Sequence, residues 1–163
     1  MPSLLRPSVR AFSTTARRLD RAVVYSENGH PSKVLSVLTY PNIPPPPPNS
    51  VNIRFLLSQI NPADINVIEG VYPNRPTKTD VLAPLGKGSE EDPVFVAGNE
   101  GLAQVTAVGE SVSSLKKGDW VVMIKPQLGT WTTGRNIAVV DIAKVPDAES
   151  LTEAQAATLT VRN

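Results

Sequence analysis

Residues 50–70 read SVNIRFLLSQINPADINVIEG, and the spacing of their apolar residues changes within this stretch. From residue 51 to residue 57 apolar and polar side chains alternate, which predicts a half-buried strand. The residues on its apolar face are Val51, Ile53, Phe55 and Leu57. After Pro62 the spacing becomes helical, with Ile65 and Ile68 three residues apart and Gly70 following. We therefore expect a short helix over residues 62–69.

The residues before this stretch form a second pair of strands in our interpretation. Apolar runs at 22–25 and 34–40 flank Asn28-Gly29, which predicts a hairpin with its turn at that dipeptide. Five consecutive prolines at 44–48 cannot pair in a sheet and favour polyproline II. They predict a stiff connector, and a ligand for an SH3-like partner is the alternative.

The residues after this stretch continue the pattern of short strands. Residues 74–93 are polar and rich in Pro and Gly, which predicts a long loop. Further strands are predicted at the sequences VFVA, GLAQVTAV, WVVMI, TWTTGRNIAVV and AKVP, and LTEAQAATLTV predicts a helix capped by Thr152. Short strands with few, short helices predict a mainly β fold, arranged as a partly open β-barrel.

The first 19 residues differ in composition from the rest. They hold Arg6, Arg10, Arg17 and Arg18 and no acidic residue, and apolar residues can share a helical face opposite the arginines. This composition is typical of a mitochondrial presequence, with a disordered basic tail as the alternative. We therefore expect residues 1–19 to direct the protein to the mitochondrial matrix and the mature chain to begin near Asp20.

Composition excludes several kinds of site. The absence of cysteine excludes disulfides, thiolate metal sites and a cysteine nucleophile. His30 is the single histidine and falls in a predicted turn, so neither a zinc site nor a serine–histidine pair is expected. A net charge of +1 gives no reason to expect nucleic acid as a partner, and no apolar run is long enough for a membrane helix.

Four motifs in order carry a resemblance to a known family. INPADINVIEGVYP, GNEGLAQVTAVG, LKKGDWV and LGTW resemble the catalytic domain of mitochondrial trans-2-enoyl-thioester reductases, which belong to the medium-chain dehydrogenase/reductase superfamily. The resemblance runs from about residue 22 to 160. It implies a GroES-like barrel over residues 20–150, incomplete in this chain, and the start of a linker helix over residues 151–163. That helix would lead toward a nucleotide-binding (Rossmann) domain, which is absent from this sequence.

The resemblance also explains why the chain lacks metal-ligating residues. In the zinc-dependent alcohol dehydrogenases of the superfamily, a cysteine ligand stands at the place of Asn61 and a histidine ligand at the place of Asn99. Neither amide is a useful zinc ligand. The sequence therefore resembles the branch that works without a metal.

The activity implied by the resemblance is reduction of a trans-2-enoyl thioester in mitochondrial fatty acid synthesis, with NADPH as cofactor. Tyr72, in the GVYP motif, is then the proton donor, because a phenol keeps its proton at neutral pH and can still protonate a strongly basic enolate. Taken without the resemblance, Tyr72 is a residue that packs its ring on the barrel. Asn61 and Trp131 are candidate substrate-binding residues; loop support and core packing are their respective alternatives.

Other polar residues near these candidates are expected to have structural roles. Asn61 and Asn66 would hold the loop by side-chain to backbone bonds, and Asp64 would cap or orient the same segment. Glu100, in AGNEG, would be bonded internally. Lys116 and Lys117 lie in a predicted turn and are expected to be solvated. Their binding of coenzyme A phosphates is the less favoured alternative.

The implied partners are an acyl carrier protein or coenzyme A thioester and, in the full-length family, a second subunit in a homodimer. The 163-residue chain alone is expected to be inactive, since its sequence contains no nucleotide-binding fold. Two alternatives stay open: a zinc-free quinone reductase of the same superfamily, and a non-catalytic barrel that acts as an interaction module.

Overall fold

The computed structural model describes residues 19–41, 43–79 and 87–160. Most of the predicted presequence lies outside these residues. Within the described part the chain forms short strands and short helices, with 3₁₀ turns at 139–141, 148–150 and 158–160. In chain order these are β1 (Asp20–Tyr25), α1 (Pro31–Val34), β2 (Ser36–Tyr40), β3 (Ser50–Ser58), α2 (Pro62–Glu69), β4 (Phe95–Val96), β5 (Gly101–Val108), β6 (Trp120–Met123), β7 (Gly134–Ala138), β8 (Ile142–Lys144) and α3 (Glu153–Ala157).

The strands form two antiparallel sheets. The smaller sheet has the order β2-β1-β4 and the larger the order β7-β3-β5-β6-β8. The prediction of a mainly β fold with short helices is confirmed. No helix among the described residues is long and apolar enough to cross a membrane.

The larger sheet has an apolar cluster on each face. Alternating residues of its strands point to opposite sides, so that Ala103 and Val121 join one cluster and Leu102 and Val122 join the other. Ala156 of α3 is fully buried against the second cluster. Burial on both faces explains why β5 and β6 are nearly continuous apolar runs.

A short segment before β7 joins the two sheets. The carbonyl of Trp131 accepts a hydrogen bond from the N–H of Val23 in β1 (2.9 Å), and the carbonyl of Thr133 accepts one from Phe55 in β3 (3.2 Å). The N–H of Thr133 also donates to the carbonyl of Arg21 (2.8 Å). The curvature expected of a partly open barrel is produced at this corner.

The predicted alternation of β3 is correct at its start and wrong at its end. Val51 and Ile53 are buried as expected, but Leu57 is 39% exposed and Asn52 is buried. The register between β3 and β5 shifts after Asn52 and again after Phe55. Val51, Ile53 and Phe55 pack in one cluster across the first irregularity, whereas the second leaves Leu56 without a partner in β5 and Leu57 outside that cluster.

The predicted hairpin pairs correctly but its connection is longer than a turn at Asn28-Gly29. β1 and β2 pair antiparallel with Ala22 opposite Leu38. Between them lies α1, where Pro31 takes the first helical position and Nδ1 of His30 accepts a hydrogen bond from the N–H of Ser32 (3.3 Å). The exposed His30 caps α1. Because Val34 belongs to α1, β2 starts only at Ser36.

The proline segment is held against the larger sheet through its carbonyl groups. Pro44 accepts from Nδ2 of Asn52 (2.7 Å), Pro47 from the N–H of Ser50 (3.1 Å), and Pro48 from the N–H of Ser111 (3.0 Å). A side chain at Gly109 would collide with the carbonyls of Pro47 and Pro48. These contacts are those of a connector, the first of the two interpretations of this segment.

The helix predicted over residues 62–69 is confirmed. Pro62 starts it and Gly70 ends it in the left-handed conformation, with φ 79°. Ile68 and Val67 are buried, and Ile68 packs with Tyr25 and Ala97. This packing holds α2 against the smaller sheet and so fixes Asn61 and Gly70 at its two ends.

Candidate functional site

A buried carboxylate joins the start of α2 to the loop that precedes β5. Asp64 is 2% exposed. One of its oxygens accepts from the N–H of Asn61 (2.7 Å) and the other from the N–H and Nδ2 of Asn99 (2.9 and 2.8 Å). These bonds hold the segment in place, which is the role predicted for Asp64.

The environment of Asp64 acts on its ionisation in two directions. Burial raises the pKa of the Asp64 carboxyl above its ordinary value, and the hydrogen bonds from Asn61 and Asn99 limit that rise. The carboxylate has three N–H donors around it, so its charged form is solvated by the protein. It serves as a structural link between helix and loop.

Asn61 uses its side chain within the same cluster. Its Nδ2 donates to Oε2 of Glu100 at 3.1 Å, and a capping box joins Asn61 and Asp64 at the start of α2. The main-chain carbonyl of Glu100 accepts from Oγ1 of Thr130 (2.8 Å). The expectation that Glu100 is bonded internally therefore agrees with the structure. Asn66 is exposed, and the bonds it makes to the following segment are through its main-chain carbonyl.

Asn99 has both ends of its amide engaged. Nδ2 donates to Asp64, and Oδ1 accepts from the N–H of Gln127 at 3.0 Å. In the described part of the chain no group of three or more His, Cys, Asp or Glu side chains is arranged to hold a metal. Asn61 and Asn99 are both parts of a hydrogen-bonded network.

Tyr72 follows the other end of α2. The main-chain carbonyl of Asn66 accepts hydrogen bonds from the N–H groups of Val71 (3.0 Å) and Tyr72 (3.1 Å), which fix the backbone just after Gly70. The Tyr72 side chain is half-buried. Its hydroxyl makes no hydrogen bond with any described residue, so it is available to a ligand.

The structure separates Tyr72 from Asn61. The two residues stand at opposite ends of α2, whose eight residues span about 12 Å. No hydrogen bond joins them within the described part of the chain. The observed bonds of Asn61 support the segment, and its role in substrate binding stays a prediction.

Trp131 lines an apolar groove. Its Nε1 donates to the carbonyl of Gln59 (2.9 Å), and its ring covers Gly98, where a Cβ would collide with it. The groove has a volume of about 670 Å³ and is lined mainly by Phe55, Leu57, Ile60 and Trp131 with residues of β1 and β2. Tyr72 is not among the described residues that line this groove.

Two further contacts at this site have no counterpart in the sequence-based predictions. Nδ2 of Asn28 donates to the carbonyls of Val67 and Ile68 (both 3.1 Å) in the last turn of α2. Nε2 of Gln127 donates to the carbonyl of Asn74, two residues after Tyr72 (2.6 Å). Neither partner is close in sequence, so no local pattern could have indicated either bond.

Comparisons with known proteins agree with this geometry. Residues 47–142 match the family model of the alcohol dehydrogenase GroES-like domain. The chain is 40% identical over 162 residues to the mitochondrial enoyl-[acyl-carrier-protein] reductase of Schizosaccharomyces pombe, which covers 98% of this chain and 42% of that protein. The chain therefore spans about two fifths of the length of this relative.

Solved structures give the same picture. Etr1p in complex with NADP and crotonyl-CoA superposes with a TM-score of 0.78 at 37% identity, over 88% of this chain and 41% of that one. In its heterodimer with Etr2p from Candida tropicalis the TM-score is 0.74 at 38% identity, over the same shares of the two chains. A putative NADPH:quinone reductase from Bacillus thuringiensis gives 0.65 at 28% identity, over 88% and 38%.

Proposed function

Because the chain belongs to the alcohol dehydrogenase GroES-like domain family, we propose that it provides the catalytic domain of a mitochondrial enoyl-thioester reductase. The reaction is the NADPH-dependent reduction of a trans-2-enoyl thioester to the saturated acyl thioester. The observation that carries this proposal is the likeness of nearly the whole chain to the Etr1p complex with NADP and crotonyl-CoA. The quinone reductase alternative is less favoured, since its match is lower in both identity and TM-score.

In this proposal the described residues act on the proton side of the reaction. Addition of hydride to the β-carbon of an enoyl thioester leaves an enolate, whose α-carbon must receive a proton. Tyr72 is our proposed donor: its backbone is fixed by the Asn66 carbonyl, its side chain is half-buried, and its hydroxyl has no hydrogen bond with the described residues. Asn61 and Trp131 are proposed to act indirectly, by holding the loop before β5 and by shaping the apolar groove.

The hydride side of the reaction requires a nicotinamide cofactor, which supplies the hydride when bound. Among the described residues no strand is followed by a glycine-rich loop and a helix, the arrangement that binds a dinucleotide. These residues therefore supply no nucleotide site of their own. NADPH is proposed for the whole protein on the strength of the Etr1p complex.

The proposed location and partners of the protein rest on the same relatives. The name of the Schizosaccharomyces pombe relative supports a mitochondrial protein, and the arginine-rich, acid-free residues 1–19 support the matrix as its compartment. Acyl carrier protein and coenzyme A are both proposed carriers of the acyl group. A dimer is proposed because a neighbouring structure is a heterodimer.

The proposal is tested by replacing Tyr72 with Phe in the protein that contains this chain. We expect the wild type to oxidise NADPH when crotonyl-CoA is added. In Tyr72→Phe we expect kcat to fall by about 10²–10⁴-fold, the usual contribution of a positioned proton donor, with the Kd for NADPH unchanged. Stopped-flow absorbance of NADPH measures the rate, and fluorescence titration measures the Kd.

Tyr25→Phe is the matched control for this experiment. Tyr25 is fully buried and its hydroxyl makes no hydrogen bond with described residues, so its loss should leave kcat unchanged. A wild type that reduces a quinone but not crotonyl-CoA would replace the proposed function with the quinone reductase alternative. A fully active Tyr72→Phe variant would remove Tyr72 from the mechanism while leaving the reaction in place.

A further inference from the structure

Gln127 has a backbone conformation that side chains rarely adopt. Its φ is 60°, in the left-handed region where a Cβ is crowded by neighbouring main-chain atoms. Asp147 is the other such non-glycine residue among those described, with φ 48°, and it is exposed at a 3₁₀ turn. Gln127 is half-buried, and strain of this kind persists where the surroundings fix the residue strongly.

Two hydrogen bonds fix Gln127, and they lead to different ends of α2. Its backbone N–H donates to Oδ1 of Asn99 (3.0 Å), and Asn99 in turn is bonded to the buried Asp64 near the start of α2. Its side-chain Nε2 donates to the carbonyl of Asn74 (2.6 Å), in the segment that follows Tyr72. Gln127 thus joins the Asp64 cluster to the segment that carries the proposed proton donor.

The segment after Tyr72 has few other supports. Its first end is held by the Tyr72 N–H on the Asn66 carbonyl, and its second end by the pair of hydrogen bonds between Thr79 and Val94 (2.8 and 2.9 Å). Between Pro73 and Lys78, the bond from Gln127 is the one hydrogen bond to the main chain made within the described residues. Loss of this bond would release the part of the segment next to Tyr72.

We propose that Gln127 is a positioning residue that holds the segment 72–74 so that the Tyr72 hydroxyl is oriented toward the substrate. The inference rests on the proposed function, because it assigns Gln127 a part in the proton transfer from Tyr72. It adds a residue that lies 55 positions from Tyr72 in the chain and that makes its contribution through the Asn74 carbonyl.

Gln127→Gly isolates the side-chain bond. Glycine adopts φ near +60° readily and keeps the N–H that binds Asn99, so only the donor to Asn74 is lost. We expect kcat with crotonyl-CoA to fall by about 10–100-fold, since misplacement of a catalytic group by a fraction of an ångström to 1 Å has effects of this size. The KM for NADPH should not change, and the melting temperature should not fall, because the strain at residue 127 is relieved.

Gln127→Glu is the second variant. Glu has the same shape as Gln but places a carboxylate oxygen against the Asn74 carbonyl, so kcat should fall at least as far. Asp147→Gly is the control, because it relieves the same type of backbone strain at an exposed site and should leave kcat unchanged.

A double-mutant cycle with Tyr72→Phe separates positioning from general damage. If Gln127 acts through Tyr72, Gln127→Gly should change kcat by less than about twofold in the Tyr72→Phe background. Fully multiplicative losses, or an unaltered kcat in both Gln127 variants, would overturn the inference.

Amide hydrogen exchange provides a readout that does not depend on activity. In Gln127→Gly the amides of residues 72–76 should exchange faster than in the wild type, while those of β5 should not change. Unchanged exchange in this segment would also overturn the inference. Failure of the wild type to reduce crotonyl-CoA would contradict the proposed function instead, and the exchange result would still decide whether Gln127 holds the segment.

Discussion

Asn28 shows how a single residue can fix a site from a distant part of the chain. Its amide donates to the carbonyls of Val67 and Ile68, and the N–H of Gly29 donates to Ile68 as well (3.1 Å). The last carbonyls of a helix have no partners within the helix and must find them elsewhere. Here they are satisfied by the β1–β2 connection, directly before the residues that lead to Tyr72.

Asn28→Ala should lower the free energy of unfolding by about 1–2 kcal/mol, because two hydrogen bonds are lost. Asn28→Asp should cost more, since a carboxylate would face two carbonyl oxygens at the negative end of the helix dipole. Urea unfolding followed by circular dichroism measures both. Glu27→Ala, an exposed neighbour, is the control and should be neutral. An Asn28→Asp variant as stable as Glu27→Ala would contradict the assigned contact.

The candidate residues that sequence could and could not predict differ in where their partners lie. Tyr72 and Trp131 were identified because each sits in a short motif, GVYP and LGTW, that is read locally. Asn28 and Gln127 were missed because their partners are about 40 and 53 residues away. The left-handed φ of Gln127 also has no signal in its residue type, which is not Gly, Asn or Asp.

At the scale of elements, the turn before β6 is organised by a buried acid. Oδ2 of Asp119 accepts from the N–H of Lys116 and from Nζ of Lys144 in β8 (both 2.9 Å). Asp119 therefore closes the turn and joins it to the edge strand β8. Lys116 and Lys117 are exposed, as predicted for turn residues, whereas nothing in the sequence pattern predicts the role of Asp119.

Asp119 should make this part of the sheet sensitive to acid. Burial acts to raise the pKa of the Asp119 carboxyl, but the hydrogen bonds and charges of Lys116 and Lys144 outweigh it and hold the pKa below the ordinary value of 3.8. A lowered pKa in the folded state stabilises the protein above pH 3.8 and loses this effect as the pH falls through the folded-state pKa. At neutral pH, Asp119→Asn should therefore be less stable than the wild type by about 1–3 kcal/mol.

The stability difference between the wild type and Asp119→Asn should shrink as the pH falls below 3.8. Urea unfolding at a series of pH values measures it. Glu110→Gln, which removes an exposed acid from the same loop, should leave the pH dependence as it is in the wild type. A constant difference between wild type and Asp119→Asn at all pH values would show that the carboxylate charge has no part in stability.

The elements themselves were predicted better than their details. α2 and the cap of α3 follow from local chemistry: Pro62 and Gly70 bound the first, and Thr152 Oγ1 accepts from the N–H of Gln155 (3.3 Å) at the start of the second. The two register shifts in β3 depend on its pairing with β5, and the position of α1 depends on how the β1–β2 connection packs on α2. Such features are set by partners, so a single-sequence pattern does not contain them.

At the scale of the whole molecule, the fold depends on the joint between its two sheets. The order of motifs predicts the GroES-like architecture, but for residues 131–134 the sequence predicts only part of a strand. In the structure they pair with β1 on one side and β3 on the other, and Tyr40 of β2 covers them. Its hydroxyl contacts Oγ1 of Thr132 (2.6 Å) and donates to the carbonyl of Gly134 (2.8 Å).

Tyr40→Phe tests how much this joint contributes to stability. The substitution keeps the ring but leaves a buried carbonyl and the Thr132 hydroxyl with one contact fewer, which should lower the free energy of unfolding by about 1–2 kcal/mol. Tyr25→Phe is the matched control, because the Tyr25 hydroxyl has no hydrogen bond with described residues. At neutral pH its stability should not be lower than that of the wild type, because the substitution removes no hydrogen bond with described residues.

Alkaline pH separates the same two tyrosines in another way. Burial raises the pKa of Tyr25 from 10.0 to about 12, so the folded state resists an ionisation that the unfolded chain undergoes readily. The stability that depends on neutral Tyr25 is complete below pH 10 and is lost as the pH rises toward about 12. Tyr25→Phe should therefore unfold at a higher alkaline pH than the wild type, without being less stable than it at pH 7. If both proteins unfold at the same alkaline pH, the ring of Tyr25 is not buried in solution, and the packing of α2 on the smaller sheet through Tyr25, Ile68 and Ala97 would have to be revised.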